Sequence, residues 1–243
     1  MMGRLLLVGM LAGLAAGLLA FGFFKLAGEP AVERAIAFEQ ALESGKDGTQ
    51  PELVTRSVQS GAGLLIGVSV YGAALGGLFA IAFALTYGRM GDFGPRATAA
   101  LLAVAGFAVQ LAPALKYPAA PPAVGTAETI GSRTSLYFAF LFISLAAMIA
   151  AGVLRLRLAP RFGGVKTAVL AAASYVVVML LVGWVLPLVD ETPKGFPADL
   201  LWQFRAASLA GQALMWSALG LIFGAGAEWR LARETNPFRA KFR

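Results

Sequence analysis

The chain has 243 residues, 58% of them hydrophobic and only 14% charged, with a net charge of +7. Soluble domains carry about 25% charged residues, so there is too little polar surface here to wrap a water-soluble core of this size. The sequence has no cysteine and no histidine, which excludes disulfides, thiolate chemistry, zinc sites of the Cys/His kind, histidine acid–base catalysis and haem ligation by histidine.

Lipid leaves every backbone N–H and C=O to be satisfied within its own helix or barrel. A barrel would show alternating segments of ~10 residues. This chain shows continuous apolar runs of about twenty residues, long enough to cross ~30 Å of hydrocarbon as helices. Six spans are expected, at about residues 5–24, 62–87, 97–115, 135–154, 167–189 and 207–227. The fold class is therefore all-α, a bundle of six transmembrane helices forming a single transmembrane domain over residues 1–243. The first span follows Arg4 as a signal peptide would. Its apolar stretch exceeds the 7–15 residues of a signal core, so it reads as a retained anchor.

Between spans 1 and 2, Pro30 suits a helix start, and Ala35, Ile36, Phe38 and Ala41 supply an apolar face. A short extracytoplasmic amphipathic helix is expected at about residues 30–44. The second outer connection is proline-rich (YPAAPPAVG) and is expected to be extended. The third contains DETPKGFPADLLWQF and is expected to fold back with Trp184, Trp202 and Phe204 at the membrane interface. The inner connections, GRMGDFGPR and RLRLAPRFGGVK, are short turns whose arginines suit anionic headgroups.

With both termini inside, the inner segments hold twelve basic residues against three acids, and the longer outer segments eight against ten. The positive-inside rule then places the N- and C-termini in the cytoplasm. Because the positive charge flanks membrane spans, it does not point to nucleic acid. A weak repeat is also present. Each returning helix opens with a cation near a hydroxyl: Arg56–Ser57, Arg133–Ser135 and Arg205–Ser208. This suggests three parallel helical hairpins, although basic and hydroxyl residues favour interfaces and helix starts without any repeat.

Glycines recur at four-residue spacing: Gly9, Gly13 and Gly17; Gly63 and Gly67; Gly72 and Gly76; Gly220 and Gly224. Lost side chains let backbones approach, the usual basis of helix packing in lipid, within the chain or onto a partner helix. No Asp, Glu, Lys or Arg lies at the centre of a span, which argues against a proton-coupled pump acting alone. Gln110, Gln212, Ser69, Ser144, Ser174, Ser217, Tyr71 and Tyr175 remain as intramembrane polar groups, able to line a cation path, the glutamines above all, or to bond neighbouring helices. At the outer rim, Pro113 and Pro187 each remove an i→i−4 bond one turn before the end of a span. Asp190, Glu191 and Asp199 follow nearby, an oxygen set that suits a divalent metal. The same carboxylates also read as interface charges paired with the rim cations Lys116, Arg133 and Arg205. The methionines do not cluster, there is no nucleotide-binding loop, and no catalytic constellation appears. The chain reads as a non-enzyme without a tightly bound cofactor.

The segment RSVQSGAGLLIGVSVYGAALGGLFAIAFALTYGR, then LAPALKYPAAPPAVG with ETIGSRTSLYF, then FPADLLWQFRAASLAGQALMWSALGLIFG, resembles the CbtA family of predicted cobalt transporter subunits, in the manner of its actinobacterial branch. The resemblance runs from about Arg4 to Trp229. It implies a multi-pass protein of a bacterial cell membrane, Co²⁺ as substrate, and a small single-span partner, CbtB, carrying histidines. It supplies no catalytic residues. Since this chain has no histidine, any imidazole ligand must come from the partner. A non-transporting structural or accessory subunit of a larger membrane complex is the alternative.

Overall fold

The computed structural model describes residues 2–43, 54–126, 128–189 and 191–235. Eight α-helices occupy them: α1 (Met2–Phe23), α2 (Glu29–Glu43), α3 (Arg56–Val58), α4 (Leu64–Thr86), α5 (Pro95–Lys116), α6 (Ile130–Phe162), α7 (Gly164–Val185) and α8 (Ala198–Thr235). A π turn, Phe24–Gly28, joins α1 to α2, and a second, Gln59–Gly63, joins α3 to α4. Among the described residues there is no strand, and six helical runs are long and apolar enough to cross a membrane. The protein is a multi-pass α-helical membrane protein.

Several boundaries differ from the sequence reading for identifiable reasons. The helix expected at residues 30–44 does not start afresh at Pro30; it continues the first span as one run, Met2–Leu42. Proline lacks an N–H and crowds the carbonyl four residues back, and the wider π turn just before Pro30 accommodates that misfit without ending the helix. Helix α7 stops at Val185, short of the expected residue 189. Leu186 precedes a proline, is pushed out of helical geometry (ψ 143°), and its N–H closes on the Val182 carbonyl. Pro187 thus lies beyond the helix and frees no carbonyl within it. The proline-rich connection is not extended throughout. Val124 N–H donates to the Pro121 carbonyl at 3.1 Å, and Ala123 has φ 67°, the pattern of a type II turn with Pro122 at its second position.

The chain divides into two compact units. The first comprises Met1–Pro30, Glu43–Gly106 and Ala210–Arg243. Its core is the contact of α1 with α4, joined by the inward faces of α5 and α8. Gly9 lies against the Gly76 backbone, Gly13 against Gly72, and Gly17 against the Val68 carbonyl. Each step of four along α1 meets a step of four back along α4, so the helices run antiparallel in fixed register. A Cβ at Gly9, Gly13, Gly72 or Gly76 would overlap the facing backbone. Phe79, Phe83 and Phe223 pack edge to face at 5.0–5.1 Å beside this seam. Gly220 and Gly224 bring α8 against Ala103 and Ala99 of α5. Gly63 and Gly67 do otherwise: both are exposed, a Cβ at Gly67 would meet nothing within 4 Å, and one at Gly63 would meet only its own chain turn at Val58.

The second unit comprises Ala31–Leu42 and Phe107–Leu209. Here α6 turns into α7 at Gly163, whose φ of 79° suits glycine. Phe140, Ala151, Ala171, Tyr175 and Met179 form one core. The apolar face of α2 makes another: Ala31 and Ala35 are buried against Phe196 and Leu200, and Phe38 meets the Phe196 ring edge to face at 5.0 Å. Of the face expected for this helix, Ala41 is exposed.

Candidate functional site

Polar chemistry is concentrated at three places, two in the second unit and one in the first. The first begins at the start of α6. Gly125, with φ 103°, has no side chain because the Arg133 guanidinium fills the place a Cβ would take. Arg133 Nη1 donates to Glu191 Oε2 at 3.0 Å, and the Thr126 N–H donates to the same oxygen at 3.2 Å. The carboxylate is 13% exposed. A hydrogen bond from the Thr129 hydroxyl, then the Thr126 N–H and the Arg133 charge, hold the Glu191 carboxyl below its usual range against the opposing effect of desolvation. Asp199 belongs to a separate, open pair. Arg34 Nη2 donates to Asp199 Oδ2 at 3.0 Å while Arg34 Nη1 donates to Gln203 Oε1 at 2.8 Å. The Arg34 hydrogen bond lowers the Asp199 carboxyl.

The three rim carboxylates named by the sequence do not form one site. Glu191 and Asp199 are committed to different arginines, and Asp190 lies outside the described residues. Among the described residues no group of three or more His, Cys, Asp or Glu is placed to hold a metal ion. Of the rim cations, Arg133 is paired as above, Lys116 closes the last turn of α5, and Arg205 buries its Nε without a hydrogen-bond partner.

The second place lies deep among α5, α6 and α7. Pro113 cannot donate to the Val109 carbonyl four residues back, and Ser144 Oγ donates to that carbonyl at 3.0 Å. Tyr175 OH stands 2.8 Å from Ser144 Oγ and 2.9 Å from the Ala108 carbonyl. Two hydroxyl protons face three contacts. The Val109 carbonyl is the one that lost its helical donor, and Ser144 supplies the replacement, while the Tyr175 hydroxyl donates to the Ala108 carbonyl beside it. Ser144 is fully buried. Of the other intramembrane polar residues, Ser174 Oγ bonds its own helix at the Ala171 carbonyl (2.8 Å), Gln110 lies partly buried on α5, and Gln212 on α8 buries its Oε1 without a partner.

The third place is the end of the α1–α4 pairing in the first unit. Continuing the glycine register past Gly17 and Val68 brings Lys25 opposite Ser60 and Glu29 opposite Arg56. Lys25 Nζ donates to the Ser60 carbonyl at 3.1 Å and its hydroxyl at 3.2 Å, and Arg56 Nη2 donates to Glu29 Oε2. The register survives because each helix carries one π turn here, so the extra residue on one side is matched on the other. Sequence reasoning noted Arg56 but missed Lys25, Glu29 and Ser60. The available signal was the pair of i, i+4 couples, Lys25–Glu29 and Arg56–Ser60, at facing ends of one hairpin. Also missed were Gly106, filled by the Trp216 ring, and Gly211, filled by the Phe24 ring, because neither has a glycine partner at helical spacing.

No curated protein and no solved structure matches the chain. The family model described as probable cobalt transporter subunit (CbtA) matches residues 2–228, a stretch that enters all six membrane-length helices. On a match of that extent, the chain belongs to the CbtA family.

Proposed function

We propose that this chain is the membrane subunit of a cobalt uptake system and that it draws its imidazole ligands from a small, histidine-bearing single-span partner. The observation that carries the reading is the pairing of a family match over residues 2–228 with a sequence that holds no histidine and no cysteine. Carboxylate, carbonyl and amide oxygens suit harder cations, whereas imidazole suits cobalt and its neighbours. The chain thus contributes the passage and the partner contributes affinity. Both termini face the cytoplasm of a bacterial cell. The twelve-to-eight split of basic residues supports this, as does the Trp229 ring near the end of α8, flanked by Arg230 and Arg233 at 5.2 and 3.7 Å.

Glu191 and Arg133 join the first turn of α6 to the segment after α7, and a divalent cation competing for the carboxylate would release that link. The same pair also serves as a permanent clasp. The second reading, a structural subunit that transports nothing, draws on the backbone-to-backbone seam of α1 and α4, which suits a rigid scaffold. Calorimetry separates the two. Co²⁺ titrated into the purified chain is expected to bind only weakly, and into its complex with the partner with sub-micromolar affinity. Sub-micromolar binding by the chain alone, or none by the complex, would overturn the proposal.

A further inference from the structure

We infer that the hydroxyl set shared by α5, α6 and α7 is a site for a dehydrated monovalent cation, Na⁺, within the second unit. The starting point is a proton count. Four oxygens stand in a row: the Ala108 carbonyl, Tyr175 OH, Ser144 Oγ and the Val109 carbonyl, with successive contacts of 2.9, 2.8 and 3.0 Å. A carbonyl brings no proton and each hydroxyl brings one. With Tyr175 donating to Ala108 and Ser144 to Val109, the middle contact joins two oxygens through their lone pairs. Moving either proton into the middle strips a carbonyl of its hydroxyl donor. Three contacts share two protons, so the row has room among its lone pairs for one more positive group.

Burial keeps bulk water from relieving that shortage. Ser144 is 0% exposed and Tyr175 8%, and Tyr175 belongs to the apolar core of Phe140, Ala171 and Met179. The Val109 carbonyl adds a second feature. It lost its helical N–H to Pro113, which is itself fully buried. Carbonyls freed at breaks in membrane helices are recurrent ligands of Na⁺ in transporters, because neutral oxygens can replace an ion's hydration shell. Here two consecutive carbonyls of α5 and one hydroxyl each from α6 and α7 bring four such oxygens together from three helices.

The ligand set also selects the ion. None of the four oxygens is charged. Desolvation cost rises with the square of the charge, so a dication needs carboxylates, whereas a monovalent ion is held by dipoles. The short spacing of the oxygens favours Na⁺ over the larger K⁺. Without the ion the hydroxyls tie α6 and α7 to α5; with it, the four oxygens would turn to one centre. The inference goes beyond the cobalt reading, because it gives a sodium gradient a point of action on the chain.

The test measures retention of radiolabelled Na⁺ by the purified full-length chain in detergent, without cobalt or partner. Wild type is expected to bind Na⁺ saturably and to release it to unlabelled NaCl but not to KCl at the same concentration. Tyr175→Phe, which keeps the Ser144–Val109 bond, is expected to weaken binding about tenfold, as for the loss of one polar contact. Ser144→Ala, where it folds, is expected to do the same. Ser174→Ala is expected to bind as wild type does, since that hydroxyl bonds the Ala171 carbonyl of its own helix. No saturable binding by folded wild type, equal displacement by KCl, unchanged binding in folded Tyr175→Phe, or loss of binding in folded Ser174→Ala would overturn the site. Neither cobalt nor the partner enters this measurement, so its failure leaves the partner-dependent binding proposed above to be judged on its own titration.

Discussion

The two units hold their helices together by opposite means. In the first, α1 and α4 approach because side chains are missing: Gly9, Gly13, Gly72 and Gly76 leave backbone against backbone. In the second, α5, α6 and α7 are tied by polar groups: a proline withdraws a donor, and the Ser144 and Tyr175 hydroxyls restore it from neighbouring helices. Lipid tails are as apolar as leucine, so apolar burial alone does not drive helices together in a bilayer. Close packing and interhelical hydrogen bonding are the two remaining resources; the first dominates the α1–α4 seam, whose polar ties are confined to its end at Lys25–Ser60 and Glu29–Arg56, and the second joins α5, α6 and α7. The packed seam tolerates no added volume, whereas the bonded set tolerates isosteric change but not the loss of a donor.

The largest effect is therefore expected at the seam. Gly13→Leu should cost about 3 kcal/mol or more through overpacking and sharply lower the thermal midpoint in detergent. A midpoint within a few degrees of wild type would show that the seam opens. In the second unit, Ser144→Ala leaves the Val109 carbonyl buried without a donor, and about 1–3 kcal/mol should be lost. Tyr175→Phe removes only the outer member of the chain of bonds and should cost about 0.6 kcal/mol, the average for such bonds in a membrane. A larger loss for Tyr175→Phe than for Ser144→Ala would show that the Val109 carbonyl does not depend on the Ser144 hydroxyl.

Smaller still is the Glu191–Arg133 link. The folded-state carboxyl is lowered, so its contribution is fully present above the ordinary carboxylate range and disappears as pH falls through the lowered value. Glu191→Gln should lower stability slightly at neutral pH and leave the acid end unchanged, and so flatten the acid limb of a stability-against-pH curve; an acid limb as steep as that of wild type would show that the link contributes nothing. The smallest effect, within about 0.5 kcal/mol, is expected for Gly67→Leu, whose position faces open space. Any destabilisation there as large as that of Gly13→Leu would mean a partner helix is missing from the comparison.

Composition and run length alone were enough to read the class of fold, since six apolar runs in a chain with so few charges admit no other spanning element. The glycine spacing was equally visible, but it did not say which glycines face a helix. Gly67 and Gly72 lie on the same helical run with the same local pattern, and only the register of α4 against α1 separates them. The rim carboxylates were legible as residues and not as a site, because each finds the arginine that its own loop brings near: Arg133 for Glu191, Arg34 for Asp199. The hydroxyl set was half legible. Pro113 announced a freed carbonyl and Tyr175 was noted, yet the donor, Ser144, comes from another helix 35 residues away. The outer helix was legible, with α2 at Glu29–Glu43 and Pro30 in its first turn; its continuity with the first span through a π turn was not, because proline ordinarily marks a fresh start.

Cobalt passing through this chain with a partner's help is the central proposal. Labelled Co²⁺ uptake into sealed proteoliposomes, containing the chain alone, a histidine-bearing single-span partner alone, or both, tests that directly. Uptake well above the protein-free leak only when both are present is the predicted result; equal uptake by the chain alone, or none by the pair, would contradict it.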